Sequence, residues 1–241
     1  MSHLVVSKEE WLKARKLLLA KEKEETHLRD AVNRARMALP WTRVEKDYVF
    51  ETPSGKKHLA DLFGRRSQLL VYHFMLGPGW KAGCPGCSFL SDHVEGALSH
   101  LNHHDVTWVA VSRAPLAEIA LYKTRMGWTF PWVSSHGSSF NFDFQVSFTK
   151  EELADGTGEY NYAPTEAGQK SEELPGLSAF FKDDDGRVFH TYSAYARGLE
   201  PVIGSLMILD RAPLGRNEKS AGDFIRRHDE YEVTPTQTTH S

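Results

Sequence analysis

QLLVYHFMLGPGWKAGCPGCSF, residues 68–89, sets a buried strand, a glycine-rich loop and a cysteine pair in immediate succession. Gln68–Met75 is a near-continuous apolar run of strand length, the pattern of a central strand covered on both faces. The loop Gly77-Pro78-Gly79-Trp80-Lys81-Ala82-Gly83 follows it, and Cys84-Pro85-Gly86-Cys87 comes next. From Ser88 to His104 the residues Phe89, Leu90, Val94, Ala97, Leu98 and Leu101 recur at helical spacing, so one continuous helix is predicted. Val106–Val111 is a second buried strand by the same criterion. Pro115–Met126 is a second helix, with proline suited to its first turn. Strand, helix, strand, helix in that order predicts a parallel right-handed crossover unit within an α/β fold.

That order gives the cysteines their chemistry. Cys84 falls at the C-terminal end of a parallel strand and at the N-terminus of the next helix, where reaction sites of open α/β sheets lie. Unpaired helix N–H groups and the macrodipole favour negative charge there, so a thiolate is stabilised and its pKa falls. Cys84 is the natural nucleophile. Cys87, one turn in, is placed to attack a mixed disulfide on Cys84 and release the reduced substrate. Pro85 suits an early helical position, and Gly86 has no side chain to crowd a docking partner. Trp80 lies in the same loop and is assigned to substrate contact. Arg113, just past the second strand, could hold an anion near the same face.

The rest of the chain frames this unit. It has 241 residues, of which 40% are hydrophobic and 25% charged, enough to bury a large core without disulfides or metal. Net charge is −3, which gives no basic field for nucleic acid or an anionic membrane. No apolar run approaches the ~20 residues of a membrane helix. Met1 to Trp11 carries two acidic residues where a signal peptide would be apolar, so a cytoplasmic protein is expected. In a reducing compartment, the two cysteines of the chain read as a metal site or a redox centre more than as a staple.

Ser7 and Glu10 form a capping box for a helix that stops before Pro40, predicting an N-terminal helical extension over 1–40. Tyr48–Phe50 and Lys57–Leu59 flank the turn Thr52-Pro53-Ser54-Gly55 and predict a hairpin. Gly127–Phe148 is aromatic with little period. Glu151–Glu173 is polar and reads as an insertion, at about 149–174, in a main domain covering 41–210. Leu177–Phe181 and Arg187–Tyr192 flank Asp183-Asp184-Asp185-Gly186 as a second hairpin. Residues 211–241 read as a polar tail with a short helical piece around Phe224–Glu230.

A zinc reading competes for the same cysteines. Cys84-x2-Cys87-x12-His100-x3-His104 satisfies zinc-finger spacing. On one continuous helix, Cys87 and His100 would lie ~20 Å apart at 1.5 Å rise per residue, too far to share one ion. A different site, using the pair with residues from elsewhere, stays open. His73, inside an apolar strand, reads as a satisfied core histidine. Trp128, Phe130, Trp132, Phe140, Phe142 and Phe144 read as core, with a cleft wall as the other use.

Several strings resemble the bacterial family called domain of unknown function 899. They are Tyr72–Met75, Gly83–Phe89, Val109–Pro115, Met126–Ser135, Phe140–Phe144, His190–Ser193 and Arg227–Tyr231, and they cover nearly the whole chain. The family is regarded as thioredoxin-like and related to peroxiredoxins. The resemblance therefore implies a three-layer α/β/α sandwich with a central mixed sheet. Peroxiredoxins carry P-x-x-x-T-x-x-C at their peroxide-reducing cysteine, but Gly77 and Lys81 precede Cys84 at those places. Trp80 and Cys84 precede Cys87 there, so neither cysteine has the threonine. Thioredoxins place a cis-proline facing the active site. Leu177 or Ser178 stands there, with Pro175 upstream, so Ser178 is expected to line the substrate groove.

The expected activity is thiol–disulfide exchange at Cys84 and Cys87, with Trp80, Pro85, Gly86, Arg113 and Ser178 contacting substrate. It needs no cofactor beyond the dithiol and no metal. The partner would be a disulfide-containing protein or a small thiol, without nucleic acid or membrane. Thiol peroxidase activity is the alternative enzyme, and a binding module with zinc-bound or idle cysteines the alternative from another class.

Overall fold

A computed structural model describes residues 3–232; the first two positions of the predicted extension, and 233–241 of the predicted tail, lie outside the described residues. The chain divides between Trp41 and Thr42 into two compact units. The first holds α1, Lys8–Met37. Its start is chemically explicit: Ser7 Oγ accepts the Glu10 N–H at 3.2 Å while the Glu10 carboxylate accepts the Ser7 N–H at 3.0 Å. Arg34 and Arg36 sit in its last turn, where cations suit the dipole.

The second unit begins with β1 (Thr42–Arg43), the hairpin β2 (Val49–Thr52) and β3 (Gly55–His58), and a 3-10 turn, Leu59–Phe63. Then come β4 (Gln68–His73), α2 (Pro85–Glu95), α3 (Leu98–His103), β5 (Val106–Ser112), α4 (Leu116–Met126) and β6 (Trp132–Ser134). Two short helices follow, α5 (Phe140–Asp143) and α6 (Lys150–Asp155), with the two-residue strands β7 (Glu159–Tyr160) and β8 (Ala163–Pro164). Last are β9 (Gly176–Lys182), β10 (Val188–Tyr195), a 3-10 turn (Ala196–Val202), α7 (Gly204–Leu209) and a 3-10 turn (His228–Glu230).

Eight strands make one sheet in the order β1-β10-β9-β4-β5-β6-β2-β3. β4, β5 and β6 run parallel, and the remaining pairings are antiparallel, so the sheet is mixed. β4 lies between β9 and β5 because its side chains are apolar on both faces. Leu69 and Val71 pack with Val109, Val111, Phe140 and Phe180 on one side. Tyr72 and Phe74 pack with Leu90, Ile119, Tyr122 and Trp132 on the other, under α2 and α4. A fully buried aliphatic or aromatic side chain contributes about 1.5–3 kcal/mol, so these two clusters fix the strand from both directions. The architecture is thioredoxin-like: a central mixed sheet with helices on it.

The structure departs from the sequence expectation at five places, the first being the helical piece expected around Phe224–Glu230, which is only the 3-10 turn His228–Glu230. The predicted helix Ser88–His104 is two helices, broken at Gly96-Ala97, where the Ala97 N–H reaches back only three residues to Val94 (2.8 Å). Pro115 caps α4 from extended backbone (φ −52°, ψ 146°) instead of occupying its first turn. Gly127–Phe148 contains β6 and α5, elements of three and four residues that are too short to show a period. The segment 149–174 holds α6, whose Thr149–Glu152 capping box is complete, and the β7–β8 ribbon.

Gly83 shows how closely the cysteine loop is packed. A Cβ there would meet Phe74 Cε1 at 2.5 Å and Tyr122 Cε1 at 2.7 Å, whereas one at Gly86 would come only within 3.8 Å of Cys84 Sγ. Overpacking of this kind costs about 1–3 kcal/mol. Gly83→Ala is expected to lower stability by that amount in urea unfolding, while Gly86→Ala leaves it unchanged within about 0.5 kcal/mol.

Candidate active site

The end of β4 and the start of α2 meet through one residue. The Phe74 N–H continues the parallel ladder to Val111 O (2.9 Å), which carries the strand to Met75. There the Cys84 N–H donates to Met75 O at 3.1 Å, and the Met75 N–H donates to Cys87 Sγ at 3.4 Å. Cys84 is the N-cap of α2 and Pro85 its first residue, so proline's fixed φ and missing N–H fall where a helix tolerates both. Cys84 is half-buried and Cys87 buried; both are free thiols.

The two thiols are driven apart in acidity. The Cys87 S–H bonds to the Cys84 sulfur and brings it down from 9.0 to about 6, against the opposing cost of burial. The N–H groups of Gly86 and Cys87 and the charge of Arg227 act in the same direction. Those N–H groups face the sulfur without closing a formed capping bond. Burial pushes Cys87 well above its ordinary value, and the neighbouring Cys84 sulfur adds to that. The Tyr72 hydroxyl donates to Cys87, and burial holds the phenol itself neutral. One sulfur is thus a thiolate at neutral pH and the other a protonated thiol in contact with it.

Other chain segments close around the pair. Ser88 Oγ donates to Cys84 O at 2.9 Å and pairs with the Tyr122 hydroxyl at 2.8 Å. Arg227 Nε and Nη2 donate to Gly83 O at 2.9 and 2.6 Å. The Tyr160 hydroxyl donates to Pro175 O at 2.8 Å and accepts the Ala196 N–H at 2.9 Å, and it lies near enough to Cys87 to feel its charge. Arg227, Tyr72, Tyr122, Ser88 and Tyr160 went unassigned in the sequence. Tyr72 alone had a usable signal, since residues 70, 72 and 74 of a strand share one face.

Cys84, Pro85, Gly86 and Cys87 come together in the first turn of α2, and Trp80 stands in the loop before it. Trp80 is 37% exposed and folds back over Gly77, its backbone N–H bonding Gly77 O at 3.2 Å. Arg113 and Ser178 do not join them. Arg113 is spent on Glu173, with Nε and Nη2 at 2.6 and 2.5 Å from Oε1, and its guanidinium lies 4.7 Å from the Phe142 ring centre. Glu173 is only 2% exposed and also accepts Ser147 Oγ at 2.7 Å, so the pair is an internal tie and not an anion receptor. Ser178 is fully buried on the opposite face of β9 from Leu177, linked to His73 Nε2 at 2.9 Å and Ser193 Oγ at 2.8 Å. Leu177, not Ser178, packs on the cysteine side, and the Pro175 peptide is trans.

His73 is brought down to about 3, chiefly by burial and then by His190, which keeps it a neutral core residue. Trp128, Phe130 and Trp132 are buried in the cluster beneath the cysteines, and Phe140 and Phe144 in the one across the sheet. His100 sits on α3, past the helix break. Among the described residues no three His, Cys, Asp or Glu side chains gather as a metal site, and no helix is long and apolar enough to cross a membrane.

Among solved structures, the chain is similar to the peroxidoxin BcpB of Mycobacterium tuberculosis at 13% identity, covering 71% of this chain and 97% of that one, with a TM-score of 0.44. A cysteine-to-serine mutant of PrxQ from Xylella fastidiosa is 16% identical over 70% of this chain and 94% of that one, TM-score 0.44. A cysteine-to-serine mutant of peroxiredoxin 6 from Arenicola marina is 12% identical over 72% and 76%, TM-score 0.44. No curated protein matches the sequence. Residues 1–231 match the family described as "Bacterial protein of unknown function (DUF899)", and the chain belongs to that family.

Proposed function

We propose that the protein is a thiol–disulfide oxidoreductase whose redox centre is Cys84 and Cys87. The observation that carries this reading is the division of acidity within one hydrogen-bonded pair: a half-buried Cys84 lowered to about 6 beside a buried Cys87 raised well above its usual range. A low thiol attacks, and a protonated neighbour waits until its partner is consumed.

The Cys84 thiolate attacks one sulfur of a substrate disulfide, forming a mixed disulfide and expelling the other sulfur as thiolate. Loss of the negative charge on Cys84 removes one of the causes that hold Cys87 protonated. Cys87 then gives its proton to the departing group and attacks the Cys84 sulfur. The Cys84–Cys87 disulfide forms, the substrate leaves reduced, and two electrons have passed from the dithiol. An external thiol restores the pair. We assign substrate contact to Trp80, Pro85 and Gly86, from their place in the loop and first helical turn around Cys84. We assign the reaction to the cytoplasm, its substrate to a disulfide-bearing protein and its reductant to a small thiol, from the scarcity of cysteine and the lack of strong net charge.

Dithiothreitol-coupled reduction of a model disulfide tests the assignment. Cys84→Ser is expected to fall to background, and Cys87→Ser to accumulate a mixed disulfide on Cys84 visible by mass spectrometry. Full turnover in Cys84→Ser overturns the reading. Peroxide consumption with a trapped Cys84 sulfenic acid, in the absence of disulfide turnover, moves the assignment to a thiol peroxidase.

The pH dependence has a definite sign. With Cys84 near 6, roughly 90% of it is thiolate at pH 7, against about 1% for a thiol at 9.0. The iodoacetamide alkylation rate of Cys84 is expected to rise with pH, reach half its plateau near pH 6 and flatten above pH ~7.5, while Cys87 stays unmodified. Peptide mass mapping across pH 4.5–9 reads both sites at once.

A further inference from the structure

The peptide unit joining Gly83 to Cys84 is gripped on both edges. Its N–H is held by Met75 O at 3.1 Å, and its carbonyl accepts two donors from Arg227, 144 positions away, at 2.9 and 2.6 Å. A peptide is planar, so fixing both edges fixes the plane on one side of the Cys84 Cα, and the Ser88 N–H on Cys84 O at 3.0 Å holds the other side; together they set the direction of its side chain. We propose that Arg227 is a positioning residue for Cys84, which makes the C-terminal segment Phe224–Glu230 part of the thiol site.

The rest of the Arg227 guanidinium is also engaged. Nη1 bonds both oxygens of Glu230 at 2.8 and 3.0 Å, and the guanidinium contacts the Tyr122 hydroxyl. Each of the three guanidinium nitrogens already holds an oxygen of the chain itself, the arrangement of a positioning group. The segment is anchored to both helices beside the cysteines. Phe224 meets Phe89 edge-on at 6.2 Å, and His228 Nδ1 lies 2.8 Å from Asp92. Arg125 bonds Asp229 at 2.7 and 3.0 Å and Glu230 at 3.1 Å. An arginine at this point does two things a neutral side chain cannot: it forks onto one carbonyl, and it sets a fixed positive charge beside the nucleophile.

The charged and titratable groups facing Cys84 are Cys87 from α2, Tyr72 from β4 and Arg227 from the C-terminal segment, with Tyr122 of α4 and Glu230 behind Arg227. Cys87 and Tyr72 are uncharged at neutral pH, so removing Arg227 shifts the thiol in one direction only, upward.

The proposal rests on the preceding section only in naming Cys84 as the attacking group, and its test does not depend on turnover. The pH profile of Cys84 alkylation by iodoacetamide is measured on the full chain with Arg227, Arg227→Gln and Arg227→Lys. The midpoint is expected to rise by about one pH unit in Arg227→Gln, a tenfold loss of rate on the acid side, and by less in Arg227→Lys, which keeps the charge but not the fork. An unchanged midpoint in Arg227→Gln, with circular dichroism and urea midpoint as in the parent, overturns the proposal. Should Arg227→Gln not fold, Arg227→Lys is read alone, and a midpoint equal to the parent's overturns it. A shifted midpoint without disulfide turnover keeps the positioning role and sinks the oxidoreductase; turnover with an unshifted midpoint does the reverse.

Discussion

Met75 serves both cysteines with its own backbone, its carbonyl taking the Cys84 N–H and its N–H reaching the Cys87 sulfur. Because Met75 lies two residues past the end of β4, this arrangement obliges the chain to leave the sheet, travel through 76–83 and return to the point of departure. Only a tight loop does that, and its composition follows. Gly79 takes φ +77°, and Gly83 slides between Phe74 and Tyr122 where no side chain fits. The helix then starts at Pro85 because the preceding residue is already pinned.

The same geometry makes two chemically identical thiols unlike. Cys84 stops at the helix mouth, in reach of N–H groups and a guanidinium, while Cys87 is carried nearly one turn into the cluster formed by Tyr72, Phe74, Leu90 and Tyr122. Burial alone would raise both. The hydrogen bond between them divides the effect, stabilising the thiolate on the accessible sulfur at the expense of the hidden one. The electrostatic asymmetry thus comes from a difference of three residues along one helix.

Much of this was legible in the sequence, and the parts that were not have a common cause. Gln68–Met75 and Val106–Val111 announced themselves because strands apolar on both faces leave an unbroken run. The cysteine position followed from them. Arg113 and Ser178 were misplaced because a sequence shows that a residue is near a strand end but not which face it takes or what has already claimed it. Glu173 claims Arg113 from inside a segment that looked like a polar insertion. Arg227 sat in a stretch that read as a polar tail, and its destination depends on packing through Phe224 and Ile225 that no local pattern displays. The break at Gly96 leaves no mark in the sequence, because the apolar spacing continues across it into Leu98 and Leu101.

The buried line from His73 through Ser178 and Ser193 to His190 crosses three neighbouring strands, with 2.8–2.9 Å at each step. A strand apolar on both faces stays apolar after a slip of one residue, but a hydrogen-bonded line accepts one alignment. A shift of β9 by a single residue would turn Ser178 to the other face, leaving Ser193 with His190 alone and His73 Nε2 without a partner in a dry interior, a penalty of about 1–3 kcal/mol for the stranded group. These four polar residues therefore act as a key cut across the sheet. By locking β9 and β10 against β4 they also set the level at which Leu177 meets Tyr72, and so the floor on which the buried sulfur rests.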